Sequence, residues 1–283
     1  MVTLWREPIH REPLAARPAE ASRPPAAELY ATLFGAFTLS RHGRRVSIGR
    51  RGAVAELARY LVAHAGRQVP RDELIELVWP NADTRRAVHR LHVAVSSLRR
   101  ALGAGASPLR LEDDKYYIAA ESIVTDCDAF DGHYREAKAA SARRAYAVAA
   151  EAFRAAVATY GGEYVADRPY ADWTAQRRAR FAERRLDALT WLCEHALREG
   201  YLMALAEYAG EVLDSDNLRE RIHRHLMRAH YALGERGLAI RQYHRCAELL
   251  QTELGVLPSR ETQRLYQAIS DDVPLPEERY PLE

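Results

Sequence analysis

The segment TRRAVHRLHVAVSSLRRAL, residues 84–102, decides the predicted fold of this chain. On an α-helix, Leu91, Val95, Leu98 and Leu102 fall on one apolar stripe. The other side carries arginine, histidine, serine and valine, and the segment contains five arginines but no acidic residue. One face is therefore suited to burial, and the other offers guanidinium, imidazole and hydroxyl groups without a local counter-charge. This pattern is typical of a helix that enters the DNA major groove, although a solvated basic surface helix has the same pattern.

The net charge of +2 is distributed unevenly along the 283 residues. Residues 28–125 contain 15 Lys and Arg against 10 Asp and Glu, whereas residues 126–283 contain 22 against 26. The positive balance lies on the segment with the basic helix, as expected of a phosphate-binding surface. Three widely spaced cysteines, no CxxC motif and no long apolar run predict a cytoplasmic chain without a membrane span. Five prolines within residues 1–27 predict a disordered leader.

The segments around the basic helix predict a winged helix-turn-helix. Residues 30–39 alternate apolar and small side chains ahead of a turn at residues 41–44, which indicates a β-hairpin. Helical periodicity follows from Val54 to Val62 and again after Pro70. A second hairpin is predicted around residues 113–115. This order makes the basic helix the third, or recognition, helix and makes the last hairpin the wing.

The second half of the chain has an almost uninterrupted helical pattern. Seven helices are predicted, over residues 129–140, 143–160, 170–199, 201–213, 218–233, 238–254 and 259–269. A small residue followed four positions later by an aromatic one occurs at Ala149/Phe153, Ala204/Tyr208 and Ala239/Tyr243, and the last two pairs are 35 residues apart. That spacing is close to the tetratricopeptide period. The predicted fold class is therefore mainly α: a winged helix-turn-helix with small β-hairpins, followed by an all-α tetratricopeptide-like helical-repeat domain.

Several of these stretches resemble small antibiotic-regulatory-protein (SARP) type bacterial transcription factors. The matching stretches are LFGAFTL (33–39), GRQVPRDELIELVWP (66–80), LHVAVSSLRRAL (91–102), TDCDAF (125–130) and RERIHRHLMRAHYALGERGLAIRQYHRCAELLQTELGVLPSRET (219–262). The resemblance covers roughly residues 30–270. Together with the proline-rich start of the chain, it predicts four segments. They are a leader at 1–27, an OmpR-like winged helix at 28–125, a bacterial transcriptional activator domain at 126–272 and a tail at 273–283.

The resemblance implies a sequence-specific activator that binds double-stranded promoter DNA at direct repeats, beside a second protomer, and recruits RNA polymerase. Two features depart from the family pattern. Lys115 stands where a glycine commonly precedes the tyrosine-containing wing strand, so the wing turn is expected to differ. The sequence also ends at Glu283 without an ATPase or large sensor domain, as in the small members.

Candidate DNA contacts are predicted on the exposed face of the basic helix and beside it. Arg86 and Arg90 suit bidentate contact with guanine, and His89, Val93 and Ser97 suit single hydrogen bonds or thymine-methyl contact. Phosphate contacts are predicted for Arg50, Arg51, Arg85 and Arg100, and minor-groove or backbone contacts at the wing tip for Lys115 and Tyr116.

The loop between the second and third helices, residues 79–83, joins the two helices of the motif. In OmpR-like proteins this loop can contact polymerase, so the resemblance implies that role for Asn81 and Asp83. Trp79 is expected to pack into the core.

Enzyme motifs are poorly represented, and neither a catalytic residue, a metal site nor a cofactor is predicted. Gly103-Ala104-Gly105 lacks the GK[ST] of a phosphate-binding loop, and His223 and His225 diverge on a helix, so they cannot share a metal ion. The alternative to a DNA-binding activator is a helical-repeat adaptor or ligand sensor whose winged helix does not bind DNA. Salt-dependent binding to promoter DNA distinguishes the two.

Overall fold

A computed structural model of the chain describes residues 28–49, 51–103 and 107–275. The predicted leader, residues 1–27, and most of the predicted tail lie outside these described residues. The predicted fold class is confirmed, because a winged helix with small sheets is followed by a helical domain.

The described residues form two compact units that are not continuous in sequence. The first unit holds residues 28–131 and 159–179, and the second holds residues 132–158 and 180–275. We call residues 159–179 the strap, because they lie inside the predicted activator domain in sequence but pack with the winged helix. The predicted domain bounds treat each domain as one continuous segment and stay a prediction.

The first unit contains two small β-sheets. Their strands are β1 (Leu29–Thr32), β2 (Thr38–Arg41), β3 (Arg44–Arg45), β4 (Val69–Pro70), β5 (Leu109–Glu112), β6 (Lys115–Ile118) and β7 (Ile123–Thr125). The first sheet has the order β3-β2-β1-β7, with β1 and β2 antiparallel and β7 parallel to β1. The second sheet has the order β4-β6-β5. The pairing of β7 with β1 joins distant parts of the chain and was not predicted from the sequence.

The alternating stretch at residues 30–39 forms two strands rather than one, which corrects the prediction. The chain turns back between β1 and β2 at Gly35, where φ is +75°. A side chain at Gly35 would place its Cβ 3.2 Å from the carbonyl oxygen of Gly161 in the strap. Glycine is therefore required here for both the backbone conformation and the close approach of a second chain segment.

Asp126 closes the same turn from the other side. Its buried carboxylate accepts hydrogen bonds from the backbone N–H groups of Leu33 at 2.8 Å and Phe34 at 3.0 Å. The N–H of Cys127 donates to the same carboxylate at 2.9 Å. Burial raises the pKa of Asp126 to about 6, although these three N–H donors favour the charged form.

We expect Asp126→Ala to lower the free energy of unfolding by about 2–4 kcal/mol, because the buried N–H groups of Leu33, Phe34 and Cys127 lose their acceptor. Urea denaturation of the full chain measures this change. Asp126→Asn is expected to cost less, since its carbonyl oxygen still accepts a hydrogen bond. Because the folded pKa of Asp126 exceeds its unfolded value, the wild type should also gain stability relative to Asp126→Asn as the pH falls from about 6 to about 4. A loss under about 1 kcal/mol for the alanine variant would contradict this role.

Three helices of the first unit follow the predicted order. They are α1 (Ala53–Ala63), α2 (Arg71–Val78) and α3 (Thr84–Leu102). The four stripe residues of α3 are between 0% and 3% exposed, which confirms the predicted buried face. Helix α1 packs against both α2 and α3.

The strap is held on the first unit by a buried ion network and by aromatic contacts. The Arg59 side chain is 3% exposed, and its Nε donates to Asp167 Oδ2 of the strap at 3.0 Å. Arg168 of the strap pairs with Glu56 at 2.5 Å. The Trp173 ring lies edge-on to Tyr60, with centroids 5.2 Å apart. The strap thus completes the core around α1.

The remaining helices confirm the seven predicted from the sequence, with bounds that differ by a few residues. They are α4 (Asp126–Ala142), α5 (Tyr146–Thr159), α6 (Asp172–Glu199), α7 (Leu202–Ser215), α8 (Glu220–Ala232), α9 (Arg236–Leu254) and α10 (Arg260–Ser270). Successive helices from α7 to α10 pack on one another, as in a helical repeat.

The small–aromatic pairs of the second unit take part in its packing. Ala149 and Phe153 are fully buried, and the Phe153 ring lies 4.9 Å from that of Trp191. Ala239 is also fully buried, whereas Tyr243 is half-buried and stacks on Tyr266 with centroids 4.0 Å apart. In the described part of the chain, no helix combines the length and apolar character that a membrane crossing needs.

Candidate nucleic-acid interface

Helix α3 begins and ends at well-defined caps. The Asp83 side chain accepts a hydrogen bond from the backbone N–H of Arg86 at 3.2 Å, which satisfies one free donor of the first turn. The helix ends at Gly103, where φ is +110°. Asp83, for which a polymerase contact is predicted, thus caps α3; it is exposed, as is Asn81.

The outer face of α3 presents unpaired cations to solvent. Of the predicted DNA contacts on this helix, the exposed ones are Arg85, Arg86, His89, Arg90, Val93 and Arg100. Within the described ranges, none of the four arginine side chains in this set has a hydrogen-bond or ion-pair partner. Ser97 is only half-buried and retains partial access to solvent. The helix therefore carries guanidinium groups whose donors are available to phosphate oxygens and base edges.

Two further polar side chains lie on the exposed part of α3 and were not among the predicted contacts. His92 and Ser96 are exposed. Arg99, by contrast, turns towards the protein: its Nε donates to the carbonyl oxygen of Leu109 in β5 at 3.2 Å. The helical period alone distinguishes these positions, because His92 and Ser96 are four residues apart and share a side of the helix.

The wing differs from the prediction at its tip. The turn between β5 and β6 consists of Asp113 and Asp114, whose φ values are +46° and +59°. Glu112 pairs with Lys115 across the ladder, so Lys115 is the first residue of β6 and is half-buried. Asp114 forms an ion pair with Arg71 at 3.1 Å. The tip of the wing therefore carries carboxylates, not the predicted cation.

Tyr116 is not accessible to DNA, which corrects the prediction for that residue. Its side chain faces the core and is 2% exposed, and burial raises the pKa of its hydroxyl. Side chains alternate between the two faces of a strand, so the neighbouring Tyr117 points the other way, where its hydroxyl donates to Glu112 Oε2 at 3.2 Å. The sequence showed the tyrosine pair but not which of the two faces the core.

The predicted phosphate contacts near α1 are only partly described. Arg50 lies outside the described residues. Arg51, two residues before α1, is exposed and has no partner in the described part of the chain. No group of three or more metal-ligating side chains occurs within residues 28–49, 51–103 and 107–275, and Cys127, Cys193 and Cys246 are buried free thiols.

Comparison with protein families supports the interpretation of both halves of the chain. The model of the bacterial transcriptional activator domain matches residues 125–270, which is more than half of the chain. The chain belongs to the bacterial transcriptional activator domain family. The model of the transcriptional regulatory protein C-terminal domain matches residues 48–113, which include all of α1 to α3. This pair of domains makes the protein a SARP-type transcriptional activator with an OmpR-type winged helix that binds DNA.

Individual relatives of this SARP-type activator carry regulatory names. It is 23% identical to the transcriptional regulatory protein MoaR1 of Mycobacterium tuberculosis over 86% of this chain and 79% of that one. It is 27% identical to the regulatory protein DnrI of Streptomyces peucetius, over 74% and 80%. It is 30% identical to the regulatory protein AfsR of Streptomyces griseus over 74% of this chain but only 21% of the relative.

A solved structure has the same fold as this activator. Mycobacterium tuberculosis EmbR, in complex with a low-affinity phosphopeptide, superposes with a TM-score of 0.71 at 23% identity. The alignment covers 88% of this chain and 66% of the EmbR chain. At this identity the comparison concerns the fold alone, and it includes both the winged helix and helices of the second unit.

Proposed function

We propose that this activator inserts α3 into the major groove of promoter DNA and distinguishes its operator by contacts from the first half of that helix. The observation that supports this most is the outer face of α3, where Arg85, Arg86, Arg90 and Arg100 are exposed and unpaired within the described residues. Carboxylates three or four residues away on the same helix would pair with such cations. Here α3 contains no acidic residue at all.

Within the proposed complex, the α3 residues divide by chemistry. Arg86 and Arg90 would donate in bidentate fashion to guanine O6 and N7, and the 54% exposed Val93 suits a thymine methyl group. Arg51, Arg85 and Arg100 would contact phosphates. The acidic turn at Asp113 and Asp114 would be repelled by phosphate, so the wing tip is not proposed as a DNA contact.

The proposed mode of activation uses two or more protomers on directly repeated half-sites, next to RNA polymerase. A single winged helix contacts only a few base pairs and buries about 600–1,000 Å², too little to select one site in a genome. The second half of the chain has an acidic balance, which suits protein contacts better than phosphate contacts. Asn81 in the exposed loop before α3 is proposed to contact polymerase, and Asp83 beside it is a weaker candidate because it already caps α3.

We expect Arg90→Ala to weaken operator binding by about 1–3 kcal/mol and to relax the preference at one base pair. Arg100→Ala should weaken binding to operator and random DNA equally and reduce the salt slope by about one, since it removes a phosphate contact. Fluorescence anisotropy at several salt concentrations measures both effects.

The matched control is Arg143→Ala, an exposed arginine after α4 that is expected to leave all DNA affinities unchanged. If Arg90→Ala and Arg100→Ala affect specific and random DNA in the same way, the proposed division of α3 is wrong. If the wild type does not bind promoter DNA even at low salt, the alternative of a non-DNA-binding adaptor is favoured instead.

A further inference from the structure

The C-terminal end of α3 is held by a side chain from the first sheet. Arg41 of β2 donates a hydrogen bond from Nη1 to the carbonyl oxygen of Leu102, the last residue of α3. Its Nη2 forms an ion pair with Glu28, just before β1. The last carbonyl groups of a helix lack intrahelical partners and carry partial negative charge. A guanidinium placed there satisfies an acceptor and interacts favourably with the helix dipole.

Gly103 leaves the space that this arginine occupies. A Cβ added to Gly103 would collide with Nη1 of Arg41 and lie 3.4 Å from its Cζ. Its φ of +110° is also a conformation that other residues rarely adopt. The Arg41 side chain is only 21% exposed, so it has little room to move elsewhere. Residue 103 therefore has to be glycine for Arg41 to reach the end of the helix.

The two ends of α3 are held differently. At the C-terminal end, Arg41 connects the helix to the first sheet, and Arg99 connects it to Leu109 of the second sheet. At the N-terminal end, the polar contact is local: the Asp83 side chain accepts a hydrogen bond from the backbone N–H of Arg86. Polar contacts to both sheets thus fix the orientation of α3 at the end far from Arg86.

A small tilt of α3 at its C-terminal end produces a larger displacement of side chains near its N-terminal end. Twelve residues separate Leu102 from Arg90, about 18 Å along the axis at 1.5 Å per residue. A tilt of about 5° at Leu102 would therefore displace Arg90 by about 1.5 Å. A hydrogen bond to a base edge tolerates only a few tenths of an ångström before it weakens.

We propose that Arg41 is a positioning residue for DNA recognition. It holds the C-terminal end of α3 so that Arg86 and Arg90 meet the base edges. Glu28 pairs with Arg41, and Gly103 leaves the space that Arg41 occupies. Arg41 acts through the helix and does not itself contact DNA. This inference rests on the proposed function, because it concerns the same helix face.

The test compares Arg41→Ala with the wild type on operator and random DNA, under conditions where both proteins are fully folded. We expect the ratio of operator to random affinity to fall about tenfold, as for a misplaced bidentate contact. The salt slope should stay unchanged, because no phosphate contact is removed. Arg44→Ala is the matched control, since Arg44 lies on the adjacent strand, is exposed and has no partner in the described ranges; it should leave the ratio unchanged.

Two further variants keep the proposal falsifiable if Arg41→Ala folds poorly. Arg41→Lys keeps the charge but lacks the fork that reaches both Leu102 and Glu28, so its ratio should lie between those of wild type and alanine. Gly103→Ala displaces an intact Arg41 and should lower the same ratio. In a double-mutant cycle on that ratio, the effects of Arg41→Ala and Gly103→Ala should be less than additive, because both changes remove the same contact between Arg41 and the end of α3.

Three outcomes would overturn the proposal or the function beneath it. A ratio within twofold of wild type, with only the free energy of unfolding changed, would assign Arg41 a structural role alone. An equal loss on both DNAs with a smaller salt slope would make Arg41 a phosphate contact. Failure of the wild type to prefer its operator would instead contradict the proposed function and would be visible before any variant is made.

Discussion

Inserting about five base pairs between two directly repeated half-sites is expected to abolish cooperative binding and to leave the affinity for a single half-site intact. Half a helical turn places the second protomer on the opposite face of the duplex, so contacts between neighbouring protomers cannot form. Typical coupling between two sites corresponds to about 5–150-fold in affinity, and we expect the loss to lie in this range.

Quantitative footprinting measures this effect on three DNA probes: one with the natural spacing, one with a five-base-pair insertion and one with a ten-base-pair insertion. The ten-base-pair insertion is the control, because it returns the second protomer to the same face of the DNA duplex. It should recover part of the cooperativity. Cooperative binding that persists unchanged on the half-turn probe would rule out adjacent protomers on repeated sites. It would not affect the proposed insertion of α3 into the major groove, which is tested by the affinity for a single site.

Asp167→Ala is expected to lower the free energy of unfolding by about 3 kcal/mol. The change leaves the Arg59 guanidinium, whose side chain is 3% exposed, without its strap carboxylate. A buried charge that loses its partner typically costs about 3–5 kcal/mol. We expect the lower end, because the Glu56 carboxylate remains 3.9 Å from Arg59. The Asp167 side chain is also 29% exposed, so water can partly replace it.

Two controls make this measurement specific. Glu163→Ala removes an exposed strap carboxylate, 4.0 Å from Arg178, and should cost less than about 1 kcal/mol in urea denaturation. Arg59→Met combined with Asp167→Met removes both charges and should cost less than Asp167→Ala alone. Equal losses for Asp167→Ala and Glu163→Ala would show that the strap is held by its aromatic contacts rather than by this ion pair.

The sequence predicted the helices well because their signals are local. The apolar stripe of α3 and the small–aromatic pairs recur at helical spacing, and such periodicity depends only on residues a few positions apart. The same locality gave the exposed face of α3, since residues opposite a buried stripe must face outward. The sequence also showed that the α3 arginines cannot pair within their own helix, because the segment contains no acidic residue.

The wrong predictions for the strands and the wing have one cause. Which side chains of a strand face the core, and where the strand begins, depend on pairing with strands that are distant in sequence. Tyr116 and Tyr117 are adjacent and chemically identical, and only pairing with β4 and β5 puts Tyr116 in the core. The aspartates were recognised as the turn, but whether Lys115 belonged to the turn or to β6 depended on the register with β5.

The sequence by itself thus determined that α3 is a basic, amphipathic helix of a winged helix and that a helical-repeat domain follows. Both conclusions rest on periodicity, charge and family motifs contained within short segments. Only the tertiary structure decided that the strap belongs to the first unit and that Arg41 binds the last carbonyl group of α3. Residues 59 and 167, and residues 41 and 102, meet because folding closes long loops, and no local pattern records which distant side chain a buried guanidinium will reach.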